Sequence, residues 1–113
     1  MLEVSTHPVG NAVVVKITGD VDLYSSPEVR KTIIGLTKNK EKNILIDLSQ
    51  VAYMDSSGVA TLVEGLQQVG RYKGTLKLFG LDAAVREVFE LSRLDKVFEI
   101  YTTEAEALET IAK

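Results

Sequence analysis

Apolar residues recur along the chain with two spacings, one typical of strands and the other of helices. Short apolar runs predict strands, and the run at residues 43–48 is continuous enough to be covered on both faces of a sheet. The dipeptide Gly10-Asn11 predicts a tight turn, so the first two strands are expected to form a hairpin. The predicted strands cover residues 2–6, 13–17, 43–48, 75–79 and 97–101.

Four further segments place apolar residues three or four positions apart, as on the buried face of a helix. Helix-start signals precede three of them: Ser26 as the N-cap before Pro27, Asp82, and Thr103. The second helix is predicted at about residues 57–72 and the last at residues 104–112. The predicted inward residues are Val29, Ile33 and Leu36, then Val59, Leu62, Val63, Leu66 and Val69, then Val85, Val88 and Phe89, and finally Ala105, Leu108 and Ile111.

The order of these elements predicts the fold class. After the opening hairpin, strands and helices alternate, which favours a mostly parallel sheet with helical cover. We therefore predict an α/β domain with a mixed, mostly parallel sheet of about five strands, about four helices and an N-terminal β-hairpin. The length of 113 residues and the absence of internal repeats predict that residues 1–113 form a single domain.

Composition narrows the classes of function. The net charge is −3, and Glu41 interrupts the densest basic cluster, residues 38–42, so direct binding of nucleic acid is not expected. The chain has no cysteine, which excludes disulfides and thiolate chemistry and fits a reducing compartment. No apolar stretch approaches the roughly 20 residues of a membrane span, and the N-terminus lacks a signal-peptide pattern, so membrane insertion is not expected and a cytoplasmic location is predicted.

The segment Tyr53-Met54-Asp55-Ser56-Ser57-Gly58 joins the most apolar strand to the second helix. The first backbone N–H groups of a helix lack partners within it and favour negative charge, so a phosphate added to a hydroxyl here would meet favourable donors. The segment therefore predicts a phosphorylation switch. The alternative interpretation is local: Ser56 serves only as a helix cap and Ser57 only as part of a tight turn.

Several segments together resemble the bacterial anti-sigma factor antagonists, which are built on the STAS domain. The resemblance rests on Gly19-Asp20-Val21-Asp22, the aliphatic strand that ends at Leu48, and Met54-Asp55-Ser56-Ser57-Gly58 with the helix that follows. It implies a partner-switching protein whose unphosphorylated form binds an anti-sigma factor that is also a serine kinase, thereby freeing the sigma factor. Phosphorylation by the kinase ends this binding, and a serine phosphatase reverses it.

The resemblance also implies roles for individual residues. Ser56 matches the phosphorylated serine, Asp22 and Asp55 match acidic positions beside it, and Gly58 matches the motif glycine. The residues predicted to contact the partner are Asp20, Asp22, Asp55, Ser57 and Gly58. One departure from the family pattern is Ala60, where many members have a second glycine. STAS domains also serve as subunits of stress-sensing complexes and of lipid-transport ATPase systems, which is the alternative function.

Other candidate chemistries find little support among the residues. Ser57 is expected to cap the second helix, and Asp55 to be either a turn residue or an electrostatic contact. Asp20 and Asp22 lack a third ligand at suitable spacing for a metal. His7 is expected in a solvated turn, and no nucleotide or catalytic fingerprint appears, so neither enzymatic activity nor a cofactor is predicted. Arg71 and Lys73 are expected to be solvated helix-end residues, with the binding of a partner's acidic patch as the alternative.

Overall fold

Within the described part of the chain, five strands form one sheet, and their order across the sheet is their order along the chain. The computed structural model describes residues 2–111. Strand β1 pairs antiparallel with β2, and all later pairs are parallel, which confirms the predicted mixed sheet. The strands are β1 (Glu3–Val9), β2 (Ala12–Thr18), β3 (Asn43–Gln50), β4 (Thr75–Phe79) and β5 (Ile100–Tyr101).

The hairpin between β1 and β2 has the predicted turn. Val9 pairs with Ala12, so Gly10 and Asn11 form a two-residue turn, and Gly10 adopts a left-handed φ of 59° that glycine tolerates best. His7 is exposed, as predicted, but it lies in β1 and pairs with Val14, so its predicted place in a turn is wrong. The edge position of β1 accommodates the neighbouring proline, since no strand needs its missing N–H.

Helices cover both faces of the sheet unequally. The helices are α1 (Ser26–Lys38), α2 (Ser56–Gly70), α3 (Ala83–Leu91) and α4 (Glu104–Glu109), and a 3₁₀ turn spans Leu94–Lys96. Buried residues of α1, α2 and α3 share one core with one face of the sheet, whereas α4 packs against the other face through Ala107, and Ile111, which follows α4, joins the same cluster. Ala105, which was predicted to point inward, is exposed instead.

Several element boundaries differ from prediction. Helix α1 begins one residue early, at Ser26, and Ser25 is its N-cap. Strand β5 is only two residues long, because a 3₁₀ turn precedes it and Phe98 packs into the core without pairing. The predicted end of the last helix, Ala112, lies outside the described residues. The caps predicted at Asp82 and Thr103 are confirmed.

The core is densest around the central strand. Every residue from Ile44 to Leu48 in β3 is buried, as predicted for a strand covered on both faces. Phe79, Phe89 and Phe98 are also buried, and the last two form an edge-to-face pair with ring centroids 5.6 Å apart. Parallel strands align their ends, so the loops fall at two edges: residues 19–25, 51–55 and 80–82 form the carboxyl edge, and residues 39–42 and 71–74 lie at the amino edge.

Candidate functional site

Two loops of the carboxyl edge are joined by backbone hydrogen bonds. Val21 N–H donates to Tyr53 O at 3.0 Å, and Asp55 N–H donates to Val21 O at 3.1 Å. Val21 and Met54, which form this short parallel bridge, are both buried. The bridge holds the segment around Asp22 beside the start of α2, so two segments about 30 residues apart in the sequence form one surface.

Asp55 is the residue that caps α2. Its backbone is extended, and its Oδ1 accepts hydrogen bonds from Ser57 N–H at 2.9 Å and Gly58 N–H at 3.3 Å. Ser56 is the first residue of the helix and Ser57 the second, so the expectation that either serine caps α2 is wrong. The carboxylate occupies the cap because the residue directly before a helix can reach the unpaired donors of the second and third helical residues.

Ser56 is exposed at the start of α2, while Ser57 is half-buried. Ala60 lies one helical turn after Ser56 and is exposed as well, so the departure from the family pattern is on the same face of the helix as Ser56. Two of the backbone donors that were expected to receive a phosphate are already bound to Asp55. A phosphate on Ser56 would therefore lie beside a carboxylate.

Asp22 organises the neighbouring loop. Its Oδ1 accepts hydrogen bonds from Tyr24 N–H and Ser25 N–H, each at 2.9 Å, and lies 3.1 Å from Ser25 Oγ. The bond from the Ser25 backbone is the main cause that lowers the pKa of Asp22 below the ordinary value of an aspartate. Asp22 is consequently ionised at neutral pH, and the exposed side chain of Asp20 lies two residues away.

Gly58 allows the two loops to approach α2 closely. It is buried, and a Cβ at this position would lie 2.7 Å from Met54 Cγ and 2.7 Å from Val21 Cγ1. A larger residue would push apart the bridge that joins the two loops. The structure thus gives a packing reason for the motif glycine, and a direct contact between Gly58 and a partner stays a prediction.

Apolar groups flank the acidic residues. Tyr24 is 89% exposed and Tyr53 is 52% exposed, so neither ring contributes to the core. Tyr53 and Met54 also line a shallow groove of about 290 Å³ whose other wall is α3, with Val88 and Leu91. The surface around Ser56 therefore combines exposed aromatic rings with carboxylates, a composition that suits contact with another protein.

The remaining chemistry of the described chain is limited. Within residues 2–111, no three side chains of histidine, cysteine, aspartate or glutamate are grouped so that they could hold a metal ion. In the same part of the chain, each helix is too short or too polar to cross a bilayer. His7 lies in the edge strand β1, away from the loops that carry Ser56.

The contribution of the Asp55 cap to the stability of the fold can be measured by substitution. We expect Asp55→Ala to lower the free energy of unfolding by about 1 kcal/mol, because the cap is lost. Asp55→Asn keeps an acceptor in place, so its stability should stay within a few tenths of a kcal/mol of the parent. Urea unfolding measures both. Equal destabilisation by the two substitutions would show that charge matters and not the hydrogen bonds.

Comparisons with known protein sequences agree with the family resemblance of the motif around Ser56. The sequence profile described as "STAS domain" matches residues 3–107. The anti-sigma-B factor antagonist of Listeria monocytogenes is 33% identical over 91 residues, which cover 80% of this chain and 79% of that protein. The antagonist of the same name from Bacillus subtilis is 31% identical over 90 residues, covering 80% of this chain and 82% of that protein.

Solved structures support the fold. An anti-sigma factor antagonist from Mycobacterium paratuberculosis superimposes with a TM-score of 0.92 at 23% identity, covering 98% of this chain and 94% of that one. The Bacillus protein SpoIIAA is known in two forms. The unphosphorylated form gives a TM-score of 0.83 at 23% identity over 98% of this chain, and the phosphorylated form 0.77 at 22% over 97%, each with all of the SpoIIAA chain covered.

Proposed function

The chain belongs to the STAS domain family, and on that premise we propose that it is an anti-sigma factor antagonist switched by phosphorylation of Ser56. The main observation behind the proposal is that Ser56, the first residue of α2, is exposed. It lies beside the loop that carries the ionised side chain of Asp22. Two relatives at 33% and 31% identity bear the name anti-sigma-B factor antagonist, which supports the choice of partner class.

In the unphosphorylated state, the carboxyl edge offers a surface that an anti-sigma factor binds. Asp20, Asp22 and Asp55 supply negative charge, and Ser57 and Gly58 belong to the helix start that the partner covers. The exposed rings of the two tyrosines add apolar contact area near the centre of this surface. Binding of the anti-sigma factor here would release its sigma factor.

Phosphorylation acts through charge. A phosphoserine carries about −1.5 to −2 charges at neutral pH. At position 56 it gains little from the helix start, because Asp55 already holds two of the backbone donors. The added charge therefore faces outward among carboxylates and opposes a partner shaped to fit the bare hydroxyl. The fold itself should persist, since Ser56 is exposed and its hydroxyl holds no described part of the chain.

A serine kinase, which is the anti-sigma factor itself in this proposal, would add the phosphate, and a serine phosphatase would remove it. In this proposal, phosphate is added and removed in the cytoplasm, where ATP is available to the kinase. Catalysis by this chain is not part of the proposal, because His7 lies in β1 and the carboxylate beside Ser56, that of Asp55, is bonded to the backbone of Ser57 and Gly58.

Phosphorylation of the full chain can be tested directly. We expect incubation with the anti-sigma factor kinase and ATP to add a single phosphate, seen by intact mass, and fragment spectra to place it on Ser56. The variant Ser57→Ala should still be modified, and Ser56→Ala should not. Modification of Ser57, or of a residue outside α2, would contradict the proposal. Hydrolysis of a generic ester by the purified chain would instead support an enzyme.

A further inference from the structure

Basic residues end the three helices that cover the main core. Lys40, Lys73 and Arg93 follow α1, α2 and α3, and they are the non-glycine residues with a positive φ within the described chain, at 56°, 63° and 62°. Their N–H groups bond back to the ends of the preceding helices at 3.0 to 3.1 Å. Glycine is the usual residue at such a position, because a side chain is disfavoured in the left-handed conformation. Each position nevertheless carries a cation.

Two of these cations, Lys40 and Lys73, belong to a larger group of basic residues at the amino edge, which we call the basic platform. The two loops that carry this group, residues 39–42 and 71–74, contain one acidic residue, Glu41. Within the described residues, no salt bridge involves a member of the platform, whereas Nε and Nη2 of the nearby Arg30 each donate to the Glu64 carboxylate at 2.7 Å. The basic platform consists of Lys38, Lys40, Lys42, Arg71 and Lys73.

The basic platform is held in shape by bonds between its two loops. Tyr72 donates its hydroxyl hydrogen to Glu41 O at 2.6 Å, and Thr75 N–H donates to Lys42 O at 2.8 Å. Gly74 packs so closely that a Cβ there would lie 2.8 Å from Lys42 O. Between the ends of α1 and α2 the platform borders a cleft of about 400 Å³. The backbone that carries the cations is thus fixed before any ligand arrives.

Charge is separated along the molecule. The loops of the carboxyl edge carry Asp20, Asp22, Asp55 and Asp82 and contain no lysine or arginine. The amino edge carries the basic platform, although the chain as a whole has a net charge of −3. A negatively charged partner would therefore be steered toward the platform and away from the switch.

We propose that the basic platform is a second docking surface, which binds a run of aspartate and glutamate residues in a partner protein. Charge complementarity favours an acidic segment, and the other anionic partners fit less well. The exposed large hydrophobic residues of the described chain all lie outside the platform, so it offers no apolar anchor for a bilayer and no open ring for stacking a base. Tyr72 is half-buried and its hydroxyl is already bound.

The position of the basic platform has a functional meaning. It lies at the opposite edge of the sheet from Ser56, so an acidic segment and an anti-sigma factor could be bound at the same time. Offsetting the negative ends of the helix dipoles is the competing explanation for these cations. That explanation predicts effects on stability alone, whereas docking predicts effects on binding.

The test uses the full chain, labelled with ¹⁵N, titrated with an acetylated hexaglutamate peptide. We expect amide shifts to concentrate in residues 38–42 and 71–74 and binding to weaken as salt is raised. The double variant Lys40→Gly/Lys73→Gly, which removes two cations at positions suited to glycine, should bind about tenfold more weakly. The double variant Lys31→Ala/Lys96→Ala, which removes two exposed cations outside the platform, is the matched control and should bind as the parent does.

Three results would overturn the proposal. Equal weakening by Lys31→Ala/Lys96→Ala would show that net charge alone attracts the peptide. Unchanged peptide binding by the double variant Lys40→Gly/Lys73→Gly would show that these cations do not form a docking surface. Tighter binding of a short thymidine oligonucleotide, or of vesicles containing phosphatidylserine, would identify a different class of partner. Ser56→Glu should leave peptide binding unchanged, so this test is independent of the switch.

Discussion

Replacing Ser56 with glutamate should weaken binding of the anti-sigma factor about a hundredfold while the fold stays intact. The new carboxylate would lie at the start of α2, beside Asp55 and close to the loop of Asp22. Repulsion between like charges about 6 Å apart amounts to roughly 3 kcal/mol at an effective dielectric constant near 20. Since about 1.4 kcal/mol corresponds to a factor of ten in affinity, one acidic group on the partner is enough to produce the loss.

Two variants control for effects other than charge at the switch. Ser56→Ala removes the hydroxyl without adding charge and should bind as tightly as the parent. Gln67→Glu adds the same charge on an exposed position of α2, roughly 16 Å further along the helix, and should change affinity little. Isothermal titration calorimetry gives the affinities, and circular dichroism checks the fold. Equal affinity of Ser56→Glu and the parent would refute the switch.

The largest effect on stability is expected from Phe89→Ala, which should lower the free energy of unfolding by about 3–5 kcal/mol. Phe89 is completely buried in α3, and its ring meets Phe98 edge to face at 88°. Removing the ring leaves a cavity and also removes the partner of the aromatic pair that holds the irregular segment before β5 against the core. The measurement is urea unfolding monitored by circular dichroism, because the chain has no tryptophan whose fluorescence could report unfolding.

The matched control for this substitution lies in the same helix. Leu91 is 78% exposed, so Leu91→Ala removes a side chain of similar chemistry without opening a cavity and should change stability by less than about 0.5 kcal/mol. A comparable loss in both variants would show that burial of the Phe89 ring is not the cause, since alanine has the higher helix propensity at both positions. A small loss in Phe89→Ala alone would show that the core can collapse around the missing ring.

Much of the fold could be predicted because local signals and burial agree. The bounds of β4 match the predicted apolar run, and the caps at Asp82 and Thr103 follow from their chemistry. The predicted start of β5 was wrong, because apolar residues before Ile100 are not part of a strand. Phe98 is buried by contact with a ring of α3, and an apolar residue needs no strand pairing to be buried in this way.

The site was predicted less completely than the fold. The motif around Ser56 identified the position of the switch, but serine and aspartate compete for the same helix cap, and the sequence order alone does not decide between them. The structure assigns the cap to Asp55. The bridge between Val21 and Met54 is a contact between distant segments, so no local pattern could reveal that the loop of Asp22 touches the start of α2.

The sheet order has a consequence for how this chain is made. Because each strand lies beside the one that precedes it, every new strand finds its neighbour already synthesised as the chain leaves the ribosome. The residues of the switch all fall between positions 20 and 58. Their hydrogen-bond network can therefore assemble around β2, β3 and the first turn of α2 while the C-terminal half of the polypeptide is still being translated.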